Sequence, residues 1–252
     1  MWDFFKTVFT GRMHINENEL CQDCAEYTVT QDGIYVAALA DGASGSRFGD
    51  IAAKCNVYAV LNYFHRVSFN QFCDYQKDIQ CNEIINSCVS LILKTMRNLP
   101  GTQYSDFCAT LLFVVSDGEK FILGHLGDGL ICSYQKNKTV KLLSQPDNID
   151  FDSTRTYFTL SNNANKHIAI SDVETLDDIR GIIMMSDGPE FSFYDNANQK
   201  IREKNLQVIM DDIAYQPCRD LELTYYLKHN FFEYGITGDD CSMLVFVNLE
   251  TR

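Results

Sequence analysis

Residues 106–144 read "DFCATLLFVVSDGEKFILGHLGDGLICSYQKNKTVKLLS", four apolar runs separated by Asp117-Gly118, Asp128-Gly129 and Lys136-Asn137-Lys138. Short runs rich in Val, Ile, Leu and Phe, broken by turn residues, predict strands, and turns this tight predict an antiparallel meander. Upstream, "EYTVTQDGIYVAALA" (26–40) predicts two more strands, over 26–31 and 34–40, joined by a hairpin at Asp32-Gly33. Between these blocks the period changes. Phe48, Ile51, Ala52, Cys55, Tyr58 and Ala59 recur at helical spacing within 47–66. In "NEIINSCVSLILKTMRNL" (82–99), Ile85, Cys88, Ile92, Met96 and Leu99 mark one helical face, which Pro100-Gly101 ends. Downstream, "KHIAIS" (166–171), "RGIIMMS" (180–186) and "CSMLVFVNL" (241–249) predict strands, with helices over 199–213 and 219–231. Strands that cluster, then helices, then strands again predict an α+β sandwich and not a βαβ parallel fold.

The 252 residues can bury a sizeable core without disulfides, and with no linker, repeat or low-complexity tract they predict one domain, 1–252. No apolar run approaches the ~18 residues that cross a bilayer. The N-terminal "MWDFFKTVFTGR" is apolar but short, carries an acid at position 3 and lacks a basic leader, so it does not read as a signal peptide. The expected location is the cytoplasm, where the ten cysteines are most simply reduced core residues. Cys21 and Cys24 in "CQDC" have zinc-ligand spacing, but no second pair completes a structural site. A net charge of −13 opposes binding to nucleic acid or anionic membrane, because the counterion release that drives such binding needs clustered Lys and Arg.

Asp-Gly occurs at 32, 41, 117, 128 and 187, and each pair suits a turn. The flanks separate them. Asp32 and Asp117 lie between strands that return at once, whereas Asp41 and Asp187 close apolar runs, "YVAALAD" and "GIIMMSD", that lead into loop or helix. A carboxylate beside a core strand is costly unless paired or bound to a cation. The cations nearest in sequence are Arg47 and Lys54 for Asp41, and Arg180 for Asp187. Adding Asp23 and the Asp239-Asp240 pair, each beside a predicted strand, gives an oxygen-only ligand set suited to Mg²⁺ or Mn²⁺ in preference to zinc or copper.

The ordered set "HINENELCQDC", "ALADGAS", "CATLLFVV", "FILGHLGDGLICSY", "GIIMMSDG" and "GDDCSMLVFV" resembles the PP2C-type metal-dependent protein phosphatases, particularly their prokaryotic branch, over nearly the whole chain. The resemblance implies a four-layer αββα sandwich, two antiparallel sheets flanked by helices. It implies hydrolysis of phosphoserine or phosphothreonine by a two-metal site at one end, with Mn²⁺ or Mg²⁺ as cofactor. By motif, Asp41 would bridge both metals and act with Asp23 in catalysis, and the Gly42 carbonyl would be a further ligand. Asp187 and Asp239 would hold the first metal, Asp23 would serve the second, and Asp128 would fall at a third, weaker one. Asp240 stands where many relatives carry Asn and would support the ligands.

Two departures accompany the resemblance. Many eukaryotic relatives have a His after the bridging Asp-Gly, proposed as general acid, where this chain has Ala43; His14, His125 and a metal-bound water are alternatives. The phosphate-binding Arg of relatives corresponds to Arg12, or failing that to Arg47. Residues 146–164, with "TRTYFTLS", would form a flap beside the site, or else a plain surface loop. No nucleophile elbow, Walker A or Cys-x5-Arg pattern is present. The implied partner is a phosphorylated protein, opposing a serine/threonine kinase, with the chain a monomer. Two other readings stay open: a non-catalytic phosphoprotein-binding or scaffold domain, and a small-molecule phosphatase using the same site.

Overall fold

Strands without a polar face need cover on both sides, and in the computed structural model, which describes residues 1–144, 156–195, 198–232 and 238–250, they have it. The first half runs β1 (Trp2–Phe9), α1 (Arg12–Glu17), β2 (Cys24–Val29), β3 (Tyr35–Ala40), α2 (Gly49–Phe64), α3 (Phe69–Cys73) and α4 (Lys77–Met96). Next come β4 (Leu111–Ser116), β5 (Lys120–Leu126), β6 (Leu130–Gln135) and β7 (Val140–Ser144), then α5 (Ala164–His167), β8 (Ala169–Ile170) and β9 (Glu174–Thr175). The chain continues with β10 (Ile179–Met185), α6 (Asp187–Phe193), the short pair β11 (Tyr194–Asp195) and β12 (Lys200–Ile201), α7 (Glu203–Asp211), α8 (Arg219–Leu227) and β13 (Cys241–Asn248).

One sheet has the order β1-β13-β10-β6-β7, and the other β2-β3-β4-β5-β8 with β9 also on β5; the pairings within both are antiparallel. Alternation along each central strand divides the apolar side chains between two cores. Val36, Ala38 and Ala40 of β3, with Leu111, Phe113 and Val115 of β4, pack under α2 and α4. Ala37 and Leu39, with Leu112 and Val114, face the opposite sheet, where they meet Ile182 and Met184 of β10 and Leu244 and Phe246 of β13. The outward residues Ile183, Met185, Met243 and Val245 pack beneath Leu206, Ile209 and Leu223 of α7 and α8. These three apolar layers make the four-layer αββα sandwich that the resemblance implied, and they explain why "VAALA" and "GIIMM" lack the polar alternation of half-exposed strands.

The predicted meander over 106–144 is corrected at one point. β4 pairs with β5 and β6 with β7, but β5 and β6 lie in different sheets. Gly127 and Gly129 hold φ of +102° and +91°, left-handed geometry that lets the chain cross from sheet to sheet within three residues and carries Asp128 at the crossing. Sequence reasoning also missed β1, which pairs with β13 along its whole length. Helix α4 begins before the predicted residue 82 because its first turn, Lys77 and Asp78, is polar and adds nothing to the apolar stripe. Of the predicted flap, residues 146–155 lie outside the described residues. Its described part is tied down: Thr159 is buried, its N–H donates to the Ala109 carbonyl (3.1 Å) and its hydroxyl donates to Asn56 Oδ1 (3.0 Å).

Candidate active site

Antiparallel register carries six carboxylates to one end of the sandwich. Cys24 lies opposite Ala40, so Asp23, just before β2, and Asp41, just after β3, emerge side by side. Met185 lies opposite Met243 and the Ser186 N–H donates to the Ser242 carbonyl (3.1 Å), so Asp187 leaves β10 where Asp239 and Asp240 lead into β13. Leu126 opposite Leu111, and Leu130 opposite Met185, bring the Asp128 crossing to the same end. The Ser186 hydroxyl donates to Asp23 Oδ2 (2.8 Å) and joins the two sheets at this point.

The loop after Asp41 is held by backbone contacts. The Asp41 carbonyl accepts from the Thr110 N–H (2.9 Å), its own N–H donates to Thr110 Oγ1 (3.0 Å), and the Ala43 N–H donates to the Cys108 carbonyl (2.9 Å). Gly42 runs so close to the start of α2 that a Cβ there would stand 2.5 Å from the carbonyl carbon of Gly49. Gln22, with its amide oriented to suit its neighbours, donates to the carbonyls of Gly42 (2.9 Å) and Ala43 (3.2 Å). The Gly42 carbonyl therefore already has one donor and keeps its second lone pair.

Among the described residues, no Lys or Arg pairs with Asp23, Asp41, Asp128 or Asp187. Burial raises the Asp23 carboxyl to about 7. Asp41 is pushed well above the usual carboxylate range, by burial first and then by Asp23, Asp187 and Asp128. Asp187 is raised likewise, by burial and then by Asp128 and Asp239, and Asp128 by burial and, less, by Asp239. Two oxygens, Asp23 Oδ1 and Asp187 Oδ1, are buried without a hydrogen-bond partner. The cations nearest in sequence are engaged elsewhere: Lys54 pairs with Asp50 (3.0 Å), and Arg180 with Asp211 (2.5 Å) at the other end of β10. Arg12 lies over the Phe232 ring (5.5 Å), and Arg47 over Phe48 (4.8 Å).

Among the described residues no three His, Cys, Asp or Glu side chains close on one point as ligands around an ion do. The residues nonetheless fit a hard divalent cation. The donors are all oxygen, two of them are orphaned, and burial penalises every charge that has no counter-charge. "CQDC" offers no comparable soft site: the Cys21 thiol is pushed up by burial and by Asp23 and Asp240, and burial raises that of Cys24 to about 11.

Asp240 accepts from the Gly11 N–H (2.6 Å), the Gln22 N–H (2.5 Å) and His14 Nδ1 (2.8 Å). His14 lines a cavity of about 570 Å³ between α1 and residues 44–50, together with Gln22, Gly45 and Arg47. His125 is committed to the fold. Its Nε2 lies 3.0 Å from the Gly127 carbonyl, which can only accept, so Nδ1 accepts from the Ser144 hydroxyl (2.6 Å), and burial lowers its pKa to about 4. Sequence reasoning missed the Gln22 amide and the Ser186 hydroxyl; their positions beside Asp23 and Asp187 were the only signal.

The family model for protein phosphatase 2C matches residues 10–214, well over half of the chain. Among solved structures, the serine/threonine phosphatase of S. agalactiae superposes with a TM-score of 0.66 at 16% identity, covering 98% of this chain and all of that one. Stp1 of Staphylococcus aureus superposes with 0.65 at 12% identity, over 98% and 95% of the two chains. The catalytic domain of PstP in complex with two manganese ions gives 0.64 at 12%, over 98% and 97%. At these identities the superpositions show a shared fold. A stretch of 137 residues, half of this chain, is 27% identical to a peptide-N(4)-(N-acetyl-beta-glucosaminyl)asparagine amidase of Debaryomyces hansenii, of which it spans about a third (34%). With the motifs in order, the sandwich in place and the family model matched over residues 10–214, this chain belongs to the protein phosphatase 2C family.

Proposed function

We propose that this chain hydrolyses phosphoserine and phosphothreonine esters in proteins, with two Mn²⁺ or Mg²⁺ ions at the carboxylate cluster. The observation that carries the reading is a set of buried acids with two orphaned oxygens, and among the described residues no Lys or Arg pairs with Asp23, Asp41, Asp128 or Asp187. PstP, whose structure is described with two manganese ions, supports it. In this reading Asp41 and the Gly42 carbonyl would serve both ions. Asp187 and Asp239 would hold the first ion, Asp23 would serve the second and Asp128 a weaker third. Ions held there would supply positive charge for the phosphoryl oxygens and an acidified water as nucleophile.

The chain's own residues do the rest. Ser186 and Asp240 hold the acids and the backbone around them through the hydrogen bonds described, which fixes the cluster before substrate arrives. Arg47 lines the cavity beside the site and is the stronger candidate for the substrate phosphate; Arg12 is the other. The reading extends to a phosphoprotein partner opposing a serine/threonine kinase and to a cytoplasmic monomer.

The test is hydrolysis of a phosphothreonine peptide with and without Mn²⁺, by the intact protein and by Asp41→Ala. Turnover that needs Mn²⁺ and is lost in the variant supports the reading. Absence of Mn²⁺-dependent turnover in the intact protein sinks it in favour of a binding domain, and turnover of sugar phosphates but not of the peptide moves it to small molecules.

A further inference from the structure

Hydrolysis of a phosphoseryl ester expels a strongly basic oxygen, which needs a proton as the P–O bond breaks, and a positioned donor contributes about 10²–10⁴-fold. Ala43 has no proton to give, and both ring nitrogens of His125 are committed inside the protein. His14 is placed differently. Its Nδ1 is fixed by Asp240 Oδ2 at 2.8 Å, and because a carboxylate accepts, that nitrogen carries hydrogen. Asp240 is itself 2% exposed and pinned by the N–H groups of Gly11 and Gln22. The His14 ring is 8% exposed and lines the 570 Å³ cavity. Its Nε2 makes no hydrogen bond among the described residues and lies 3.7 Å from Glu19 Oε2. Glu17, Arg47 and Asp50 are the other charged groups around that cavity.

The ring is tied to the carboxylate cluster through the backbone that carries it. Asp240 follows Asp239, and Gln22, whose N–H also donates to Asp240, precedes Asp23 and holds the carbonyls of Gly42 and Ala43. We propose that His14 is the proton donor to the departing seryl or threonyl oxygen, and that Asp240 positions it. The assignment rests on the phosphomonoester hydrolysis proposed above. In the step, the P–O bond breaks with its electron pair going to oxygen, the Nε2–H bond of the imidazolium breaks, and an O–H bond forms on the leaving group. The imidazole left behind keeps its Nδ1–H on Asp240 and regains its other proton from solvent.

The test compares 4-nitrophenyl phosphate, whose leaving oxygen is weakly basic, with phenyl phosphate, whose oxygen is far more so, in Mn²⁺ with the full chain. His14→Ala and His14→Gln are expected to lower kcat/KM for phenyl phosphate about 100-fold and for the nitrophenyl ester at least tenfold less. Asp240→Asn keeps an acceptor for the ring without the charge and is expected to shift the ratio in the same direction by a smaller factor. Thermal melts identify which variants fold, and any one folded variant of the three suffices. An equal loss on both esters overturns the assignment, because a structural clip would slow both alike. If the unaltered protein hydrolyses neither ester, the hydrolase reading fails and this one with it; if it hydrolyses both and the ratio stays put, only His14 is wrong.

Discussion

Replacing Asp23 with Asn should stabilise the cation-free protein while removing its activity. Burial holds the Asp23 carboxyl at about 7 in the folded state, against about 3.9 in an unfolded chain. At about 1.4 kcal/mol per pH unit, keeping this group ionised at pH 8 costs the fold about 4 kcal/mol, of which side-chain relaxation and entering water return up to half. Asn has nearly the same shape, and its carbonyl oxygen can still accept from Ser186. The gain is therefore about 2–4 kcal/mol, or roughly 5–15 °C in melting temperature for a domain of this size.

The sign gives a second, sharper check. Between about pH 4 and 7 the folded protein binds a proton here that the unfolded chain has released, so unaltered protein loses stability as pH rises through that window. Asp23→Asn has no such group. In EDTA the gap between the two melting curves should open from near zero at pH 4 to its full size at pH 8. Saturating Mn²⁺ should then raise the unaltered protein far more than the variant. A variant less stable than the parent in EDTA at pH 8, or a gap that does not widen with pH, refutes the claim that this carboxylate is buried at a cost.

His125 acts with the opposite sign. Burial lowers it to about 4, so the stability it contributes is complete above pH ~6.5 and is lost as pH falls toward 4; the melting-temperature advantage of the parent over His125→Gln should shrink across that interval. Gly42→Ala places a Cβ 2.5 Å from the backbone of Gly49, where neither strand end nor helix start can yield, and should cost about 3 kcal/mol in urea unfolding together with most of the activity. Asn56 is fully buried and donates to the carbonyls of Ala109 (3.3 Å) and Thr110 (3.0 Å) while accepting from Thr159. Asn56→Ala removes a partner from all three groups, leaving the Ala109 carbonyl with the Thr159 N–H alone, and should cost about 3 kcal/mol, whereas a surface change such as Asn70→Ala should leave the urea midpoint in place.

What was legible in the sequence follows from how local each signal is. Asp32-Gly33 reads correctly as a hairpin because its two strands are neighbours in chain and in sheet. Asp128-Gly129 carries the same dipeptide, yet there the chain passes between sheets; nothing within a few residues distinguishes a turn back from a crossing, and only the packing of Ile131 against the opposite sheet decides it. Asp41 and Asp187 stand out because an acid after five apolar residues violates the economics of burial, which needs no tertiary knowledge. Helix α1 escapes notice because it is six residues long and mostly exposed, and His14 within it acquires meaning only from Asp240, which the chain supplies more than two hundred positions later.

The pairing of β1 with β13 has a consequence in time as well as in space. Trp2 lies opposite Asn248 and Phe9 opposite Cys241, so β1 waits for its sheet partner until β13, more than two hundred residues on, has emerged. The sheet of β2 to β5 can form early, bringing Asp23 and Asp41 together, but Asp239 arrives only with β13. Contacts this distant in sequence are the slowest to form. A growing chain thus lacks Asp239 and Asp240 until its last strand, and the complete set exists only once β13 has joined its sheet.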